Sequence, residues 1–160
     1  EKSILQVNTA VKNALRLAQT TLRKSGVRIE LELREDLPEM EGNLQSIEQI
    51  ILNIFINAIQ SIDHDSGIIR LRTGFDIKSG RIFVAISDNG RGISPQIADK
   101  LFLPFVTDKQ AQGGTGLGLS VTYGLVQAHG GDIAFQHLRG CGCPHLADHR
   151  VCAASEVQVR

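Results

Sequence analysis

Three clusters of residues in this chain have types and spacings suited to chemistry. The run Gly113-Gly114-Thr115-Gly116-Leu117-Gly118-Leu119-Ser120 alternates glycine at 114, 116 and 118, directly before a long apolar helical pattern. Glycine costs roughly 1 kcal/mol against alanine inside a helix, so this placement suggests that bare backbone must come close to something. A helix start offers unpaired N–H groups and a partial positive charge, and a phosphate suits both. No Lys-Ser or Lys-Thr follows the glycines and no strand immediately precedes them, so the run is neither a P-loop nor a dinucleotide fingerprint. The second cluster is Asn53 and Asn57, four residues apart and therefore on one face of a helix. Two amides aimed the same way need partners, and hydrated Mg²⁺ with phosphates is one answer, since Mg²⁺ keeps several waters and takes few protein oxygens. The third is Asp88-Asn89-Gly90-Arg91-Gly92-Ile93. A carboxylate there can accept from the exocyclic amine of adenine, whereas guanine presents an acceptor at that place. Gly90 and Gly92 permit close approach.

Each cluster alone also has a plain structural reading. The asparagines can satisfy neighbouring backbone groups, Asp-Asn-Gly is an ordinary turn, and a glycine run can simply be the turn before a helix.

The elements that must position these clusters are legible as patterns. Leu5, Val7, Val11, Leu15, Ala18 and Leu22 form a helical stripe that Gly26 would stop. Val27, Ile29, Leu31 and Leu33 alternate with charges as a half-buried strand. Asn43 is placed to cap a helix whose apolar positions are Ile47, Ile50, Ile51, Ile54, Ala58 and Ile62. Residues 68–75 and 81–87 are predicted strands joined by a turn at Lys78-Ser79-Gly80. The continuously apolar Ile82-Phe83-Val84-Ala85-Ile86 predicts a central strand covered by helices on at least one side. Ser94-Pro95 predicts a cap and a short helix to about Phe102. Residues 103–114 are expected to form a mobile loop, followed by a helix to His129, a stop at Gly130-Gly131 and a strand from Ile133-Ala134-Phe135. The expected fold class is α+β: a mixed sheet covered by helices on one face.

Composition narrows the function classes. Lys+Arg and Asp+Glu are both 17 in 160 residues, which lacks the cationic excess of a nucleic-acid or membrane-surface binder. No apolar run approaches the ~18 residues of a membrane span, and no signal peptide opens the chain. The first residue is Glu, so the chain is expected to be a piece of a longer protein. The three cysteines, 141, 143 and 152, all lie in the tail and form no disulfide framework, which fits a reducing, cytoplasmic setting.

Taken together, the clusters resemble the catalytic ATP-binding domain of bacterial sensor histidine kinases, in the superfamily shared with gyrase, mismatch-repair and chaperone ATPases. The resemblance covers residues 5–136. It rests on an asparagine box (Asn53-Ile54-Phe55-Ile56-Asn57-Ala58), a first glycine box (88–93), a phenylalanine box (Phe102-Leu103-Pro104-Phe105) and a second glycine box (114–119), in family order. It implies a two-layer Bergerat-type α/β sandwich with ATP and Mg²⁺ as cofactors. It makes Asn57 the metal ligand, with Asn53 beside the phosphates, and Asp88 the adenine reader. Gly90, Gly92 and Ile93 then line the nucleotide, as do Gly114, Thr115, Gly116, Leu117, Gly118 and Leu119. Residues 103–114 become a lid from which Lys109 reaches the terminal phosphates, and Phe102 and Phe105 anchor the lid or dock a partner helix. The style of 58–61 and 105–109 is most similar to nitrogen-regulation-type sensor kinases.

One position separates a kinase from an ATPase. In the hydrolysing branch of that superfamily a Glu four residues before the metal-binding Asn activates water. Here the position is Asn53, an amide that cannot take a proton. The resemblance therefore implies transfer of the γ-phosphate to a histidine on a separate dimerisation domain, since phosphoryl transfer depends mainly on positioning and charge neutralisation. A conformational ATPase or a serine kinase of the same superfamily is the alternative. None of the chain's histidines (64, 129, 137, 145 and 149) has the family's acceptor context, and His64 and His129 are expected at helix ends. A cognate response regulator, and a homodimer only in the full-length protein, are implied as partners, with no direct membrane contact by this piece.

The resemblance weakens after Gln136. Residues 137–160 are expected to be a divergent tail, with 155–159 as a replacement for the family's closing strand. Cys141, Cys143, His145, His149 and Cys152 have the ligand types for Zn²⁺ but match no common zinc spacing.

Overall fold

The computed structural model describes residues 2–92, 100, 103, 118–137 and 153–159. The chain begins with a short strand β1 (Ser3–Leu5), then helices α1 (Val7–Leu17) and α2 (Gln19–Ser25), and strands β2 (Arg28–Leu33) and β3 (Met40–Gly42). Helix α3 (Leu44–Ser61) leads into the hairpin β4 (Ile68–Asp76) and β5 (Arg81–Asp88). Helix α4 (Gly118–Ala128) and strands β6 (Asp132–His137) and β7 (Ala153–Val159) complete it.

A five-stranded sheet runs in the order β2-β4-β5-β7-β6, and β1 pairs separately with β3. β2 is parallel to β4 and every other pairing is antiparallel, so the sheet is mixed. β5 is its middle strand, as its apolar run predicts. The run nevertheless alternates: Ile82, Val84 and Ile86 are buried, while Phe83 and Ala85 are half-buried on the other face. That other face carries charge. Arg70 pairs with Glu30 at 2.8 Å and Arg72 with Glu32 at 3.0 Å across β2 and β4, a pattern that keeps a one-sided sheet wetted.

The helices pack on the buried face. α3 supplies most of the core, burying Ile47, Ile50, Ile51, Ile54, Phe55, Ala58 and Ile59. Val7, Ala10, Val11 and Ala14 of α1 and Val126 of α4 join the same cluster. α3 starts where Asn43 accepts from the Ser46 N–H at 2.9 Å, a cap contributing about 1 kcal/mol.

The structure departs from the expected pattern at three places. Leu5 belongs to β1, opposite Met40, and not to the first helix. The single expected helix is two, parted at the buried Ala18; α2 has no fully buried residue and meets the core through the half-buried Leu22. In the tail, the strand expected over 155–159 forms but begins at Ala153. β7 lies between β5 and β6 and buries Val157 and Val159, and the expected boundary at 136 falls inside β6. Gly26, at φ +67°, does end α2. Apart from Lys100, the expected helix after Ser94-Pro95 lies outside the described residues, as do the segment 104–114 and Cys141, Cys143, His145, His149 and Cys152. Among the described residues no group of three or more metal-ligating side chains occurs, and no helix is long and apolar enough to cross a membrane.

Candidate functional site

Asp88 ends β5, the central strand, and is only 7% exposed. Two donors serve one of its oxygens. The Gly90 N–H reaches Oδ1 at 2.9 Å, and the Ser61 hydroxyl, from the last residue of α3, reaches it at 2.8 Å. The strand end is thereby joined to the helix end through a buried carboxylate.

The loop after Asp88 is fixed on every side. The Arg91 N–H donates to the Ser61 carbonyl at 2.9 Å. Asn89 Oδ1 accepts from the Ile68 N–H at 2.8 Å, and its Nδ2 donates to the Ser66 carbonyl at 3.0 Å. His64 Nε2 donates to the Asn89 carbonyl at 2.9 Å. Gly90 lies so close to α3 that a Cβ there would overlap both Oγ and the carbonyl oxygen of Ser61. Gly92 has φ +77°, a conformation that other L residues rarely adopt. The two glycines are thus required for different reasons: one for space, the other for backbone shape.

Asn53 and Asn57 share a face of α3 and are both half-buried. Asn53 links two helices. Its Nδ2 donates to the Gly118 carbonyl at 3.2 Å and to Thr122 Oγ1 at 3.1 Å, while its Oδ1 accepts from Gln49 Nε2 at 2.6 Å. Thr122 is fully buried, and its hydroxyl donates back to the Gly118 carbonyl at 2.8 Å. The first turn of α4, where the glycine-rich run ends, is therefore docked on α3 through Asn53. The last turn is tied as well. His129 Nδ1 donates to the Leu125 carbonyl at 2.8 Å, and its Nε2 accepts the Asn43 N–H at 3.1 Å.

Of the residues expected to bind a nucleotide, the structure places Asn53, Asn57, Asp88, Gly90 and Gly92 along α3 and the loop beside its end. Gly118 and Leu119 begin α4. Ile93, Lys109, Gly114, Thr115, Gly116 and Leu117 lie outside the described residues, as do Phe102 and Phe105. Ser61, Thr122 and His129 are three positioning groups that motif reading does not assign. Ser61 had a signal: with Gln49, Asn53 and Asn57 it continues a polar stripe at four-residue spacing along an otherwise apolar helix. Thr122 and His129 had none, because their partners lie 69 and 86 residues away.

Comparisons with known proteins identify the family and the fold. The sequence model of the histidine kinase-, DNA gyrase B- and HSP90-like ATPase family matches residues 42–145, more than half of the chain. The chain is 30% identical over 138 residues to the sensor histidine kinase ZraS of Escherichia coli K12, covering 86% of this chain and 29% of that protein. It is 38% identical over 117 residues to the sensory histidine kinase/phosphatase NtrB of Escherichia coli O157:H7, covering 68% of this chain and 33% of that one. The catalytic domain of the histidine kinase ThkA superposes with a TM-score of 0.79 at 22% identity, covering 99% of this chain and 97% of that domain. The chain spans about a third or less of the length of these two curated relatives.

Proposed function

The chain belongs to the histidine kinase-, DNA gyrase B- and HSP90-like ATPase family, and from that premise we propose that it binds Mg-ATP and presents the γ-phosphate to a histidine on a separate dimerisation domain. The observation that carries this reading is Asp88: a buried carboxylate held by Ser61 and Gly90 at the end of the central strand. It is the acceptor that the exocyclic amine of adenine requires. The polar stripe of α3, on which Asn53 and Asn57 are half-buried, suits a nucleotide lying along that helix face.

The donor set also suits Mg²⁺. Asn57 would offer one neutral oxygen, in keeping with a cation that retains most of its water. The metal would neutralise phosphate charge as the γ-phosphate leaves. Gly118 and Leu119, at the start of α4, would face the phosphates with Gly114, Thr115, Gly116 and Leu117, and Ile93 would border the base. Lys109 would reach the γ-phosphate from residues 103–114, the proposed lid. Asn53 acts by docking the first turn of α4, and its amide cannot activate water. That chemistry favours transfer to another domain over hydrolysis.

The same reading assigns the partners: the dimerisation domain of the whole protein, through which it would form a homodimer, and a cognate response regulator. It places the ATP-binding unit in the cytoplasm. Calorimetric titration of this chain with Mg-ATP tests the site. The parent chain is expected to bind, and Asp88→Asn to weaken binding by about 10- to 100-fold, the usual worth of a hydrogen bond to a charged group. Equal affinity in the two would refute the assignment.

A further inference from the structure

We propose that Ser61 sets the base selectivity of the site by fixing the rotation of the Asp88 carboxylate. The inference rests on Asp88 as the base reader and assigns a specificity-determining residue to it.

Guanine as well as adenine carries N–H donors on its pairing edge, beside the O6 acceptor that distinguishes it. A carboxylate free to rotate can find a donor on either base. Discrimination therefore requires more than an acceptor; it requires one held in a fixed direction. Ser61 supplies the restraint. Its Oγ lies 2.8 Å from Asp88 Oδ1 and also 2.8 Å from the Ala58 carbonyl. One hydroxyl proton cannot serve both, and the charged acceptor makes the stronger bond. The Gly90 N–H reaches the same Oδ1 at 2.9 Å, so two donors on different elements define one orientation.

The geometry around Ser61 is rigid enough to transmit this. The residue is buried, its carbonyl accepts the Arg91 N–H, and Gly90 packs directly against it. Loss of the hydroxyl removes the hydrogen bond by which the end of α3 aims Asp88.

The test compares Mg-ATP and Mg-GTP binding to this chain by calorimetry, in the parent, Ser61→Ala, Ser61→Cys and Asp88→Asn. Thermal melting is followed alongside. Ser61→Ala is expected to weaken ATP about tenfold and to leave GTP within about twofold, narrowing the ratio; the melting temperature falls too, since the buried Asp88 loses a donor, and the ratio carries the test. Ser61→Cys, which keeps the packing on Gly90 with a weaker donor, is expected to narrow it less. An unchanged ratio in both serine variants overturns the inference, as does an equal loss for the two nucleotides, which marks a merely structural role. Unimpaired ATP binding in Asp88→Asn overturns the reading of Asp88 itself. Loss there with no effect at Ser61 overturns the selectivity role alone.

Discussion

At the scale of single residues, the site depends on where atoms are absent as much as where they are present. Gly90 is the sharpest case, because a methyl there would run into backbone as well as the Ser61 side chain. Backbone does not yield cheaply, so Gly90→Ala is expected to cost about 1–3 kcal/mol of stability, measured by urea unfolding. It should also displace Asp88 and weaken Mg-ATP binding. Asn53 is the second case. Motif reading puts it beside the phosphates, yet its amide holds the carbonyl of Gly118 and the hydroxyl of Thr122. Asn53→Asp would set a carboxylate against that carbonyl, and the first turn of α4 is expected to lose protection in amide hydrogen exchange.

Elements give those residues their rigidity. α4 is tied to α3 at both ends, through Asn53 at its start and His129 at its finish. His129→Phe removes the acceptor of the Asn43 N–H at the head of α3. A loss of about 1–3 kcal/mol follows if that donor is left unpaired, and His129→Gln, which keeps an acceptor, should lose less. Melting temperatures of the two variants check this. The β4–β5 hairpin has its own restraint. The Ser79 hydroxyl, and then the Lys78 N–H, hold the Asp76 carboxyl below its ordinary value. A depressed carboxyl stabilises the fold above the ordinary carboxylate range and loses that contribution as pH falls through the folded value. Asp76→Ala should therefore lower the melting temperature slightly at neutral pH, and the difference should shrink in acid.

Much of this was legible from local pattern. Helical spacing marks α3, the apolar run marks β5 as central, and Gly26 marks the end of α2, because in each the deciding interactions are periodic or close in sequence. What was hidden depends on distant partners. A strand over 155–159 was legible, but its place between β5 and β6, after a stretch rich in cysteine, histidine and glycine, was not. Leu5 continues a helical stripe, yet its pairing opposite Met40 wins. Among the candidate site residues, Asp88, Gly90 and Gly92 were visible as a motif. Asn53 was visible too, but its docking contact was not, since it depends on Thr122 in a different helix.

For the whole molecule, one layer of helices on a mixed sheet leaves the site at the end of the buried layer, where the end of β5 meets the end of α3. On the proposed reading, Asn53 takes the place of a water-activating acid, and a bound ATP would be presented and not hydrolysed. The chain's described histidines have structural partners: His64 holds the loop at Asn89, and His129 holds α4. The most direct measurement is incubation of this chain with γ-labelled Mg-ATP, alone and with a separate histidine-bearing dimerisation domain. Asn57→Asp and Asp88→Asn run in parallel. The expected result is an acid-labile, base-stable phosphate on the added domain, none on the chain itself, and loss of transfer in both variants. Labelling of the isolated chain on its own histidine, or transfer that survives in both variants, would contradict the account.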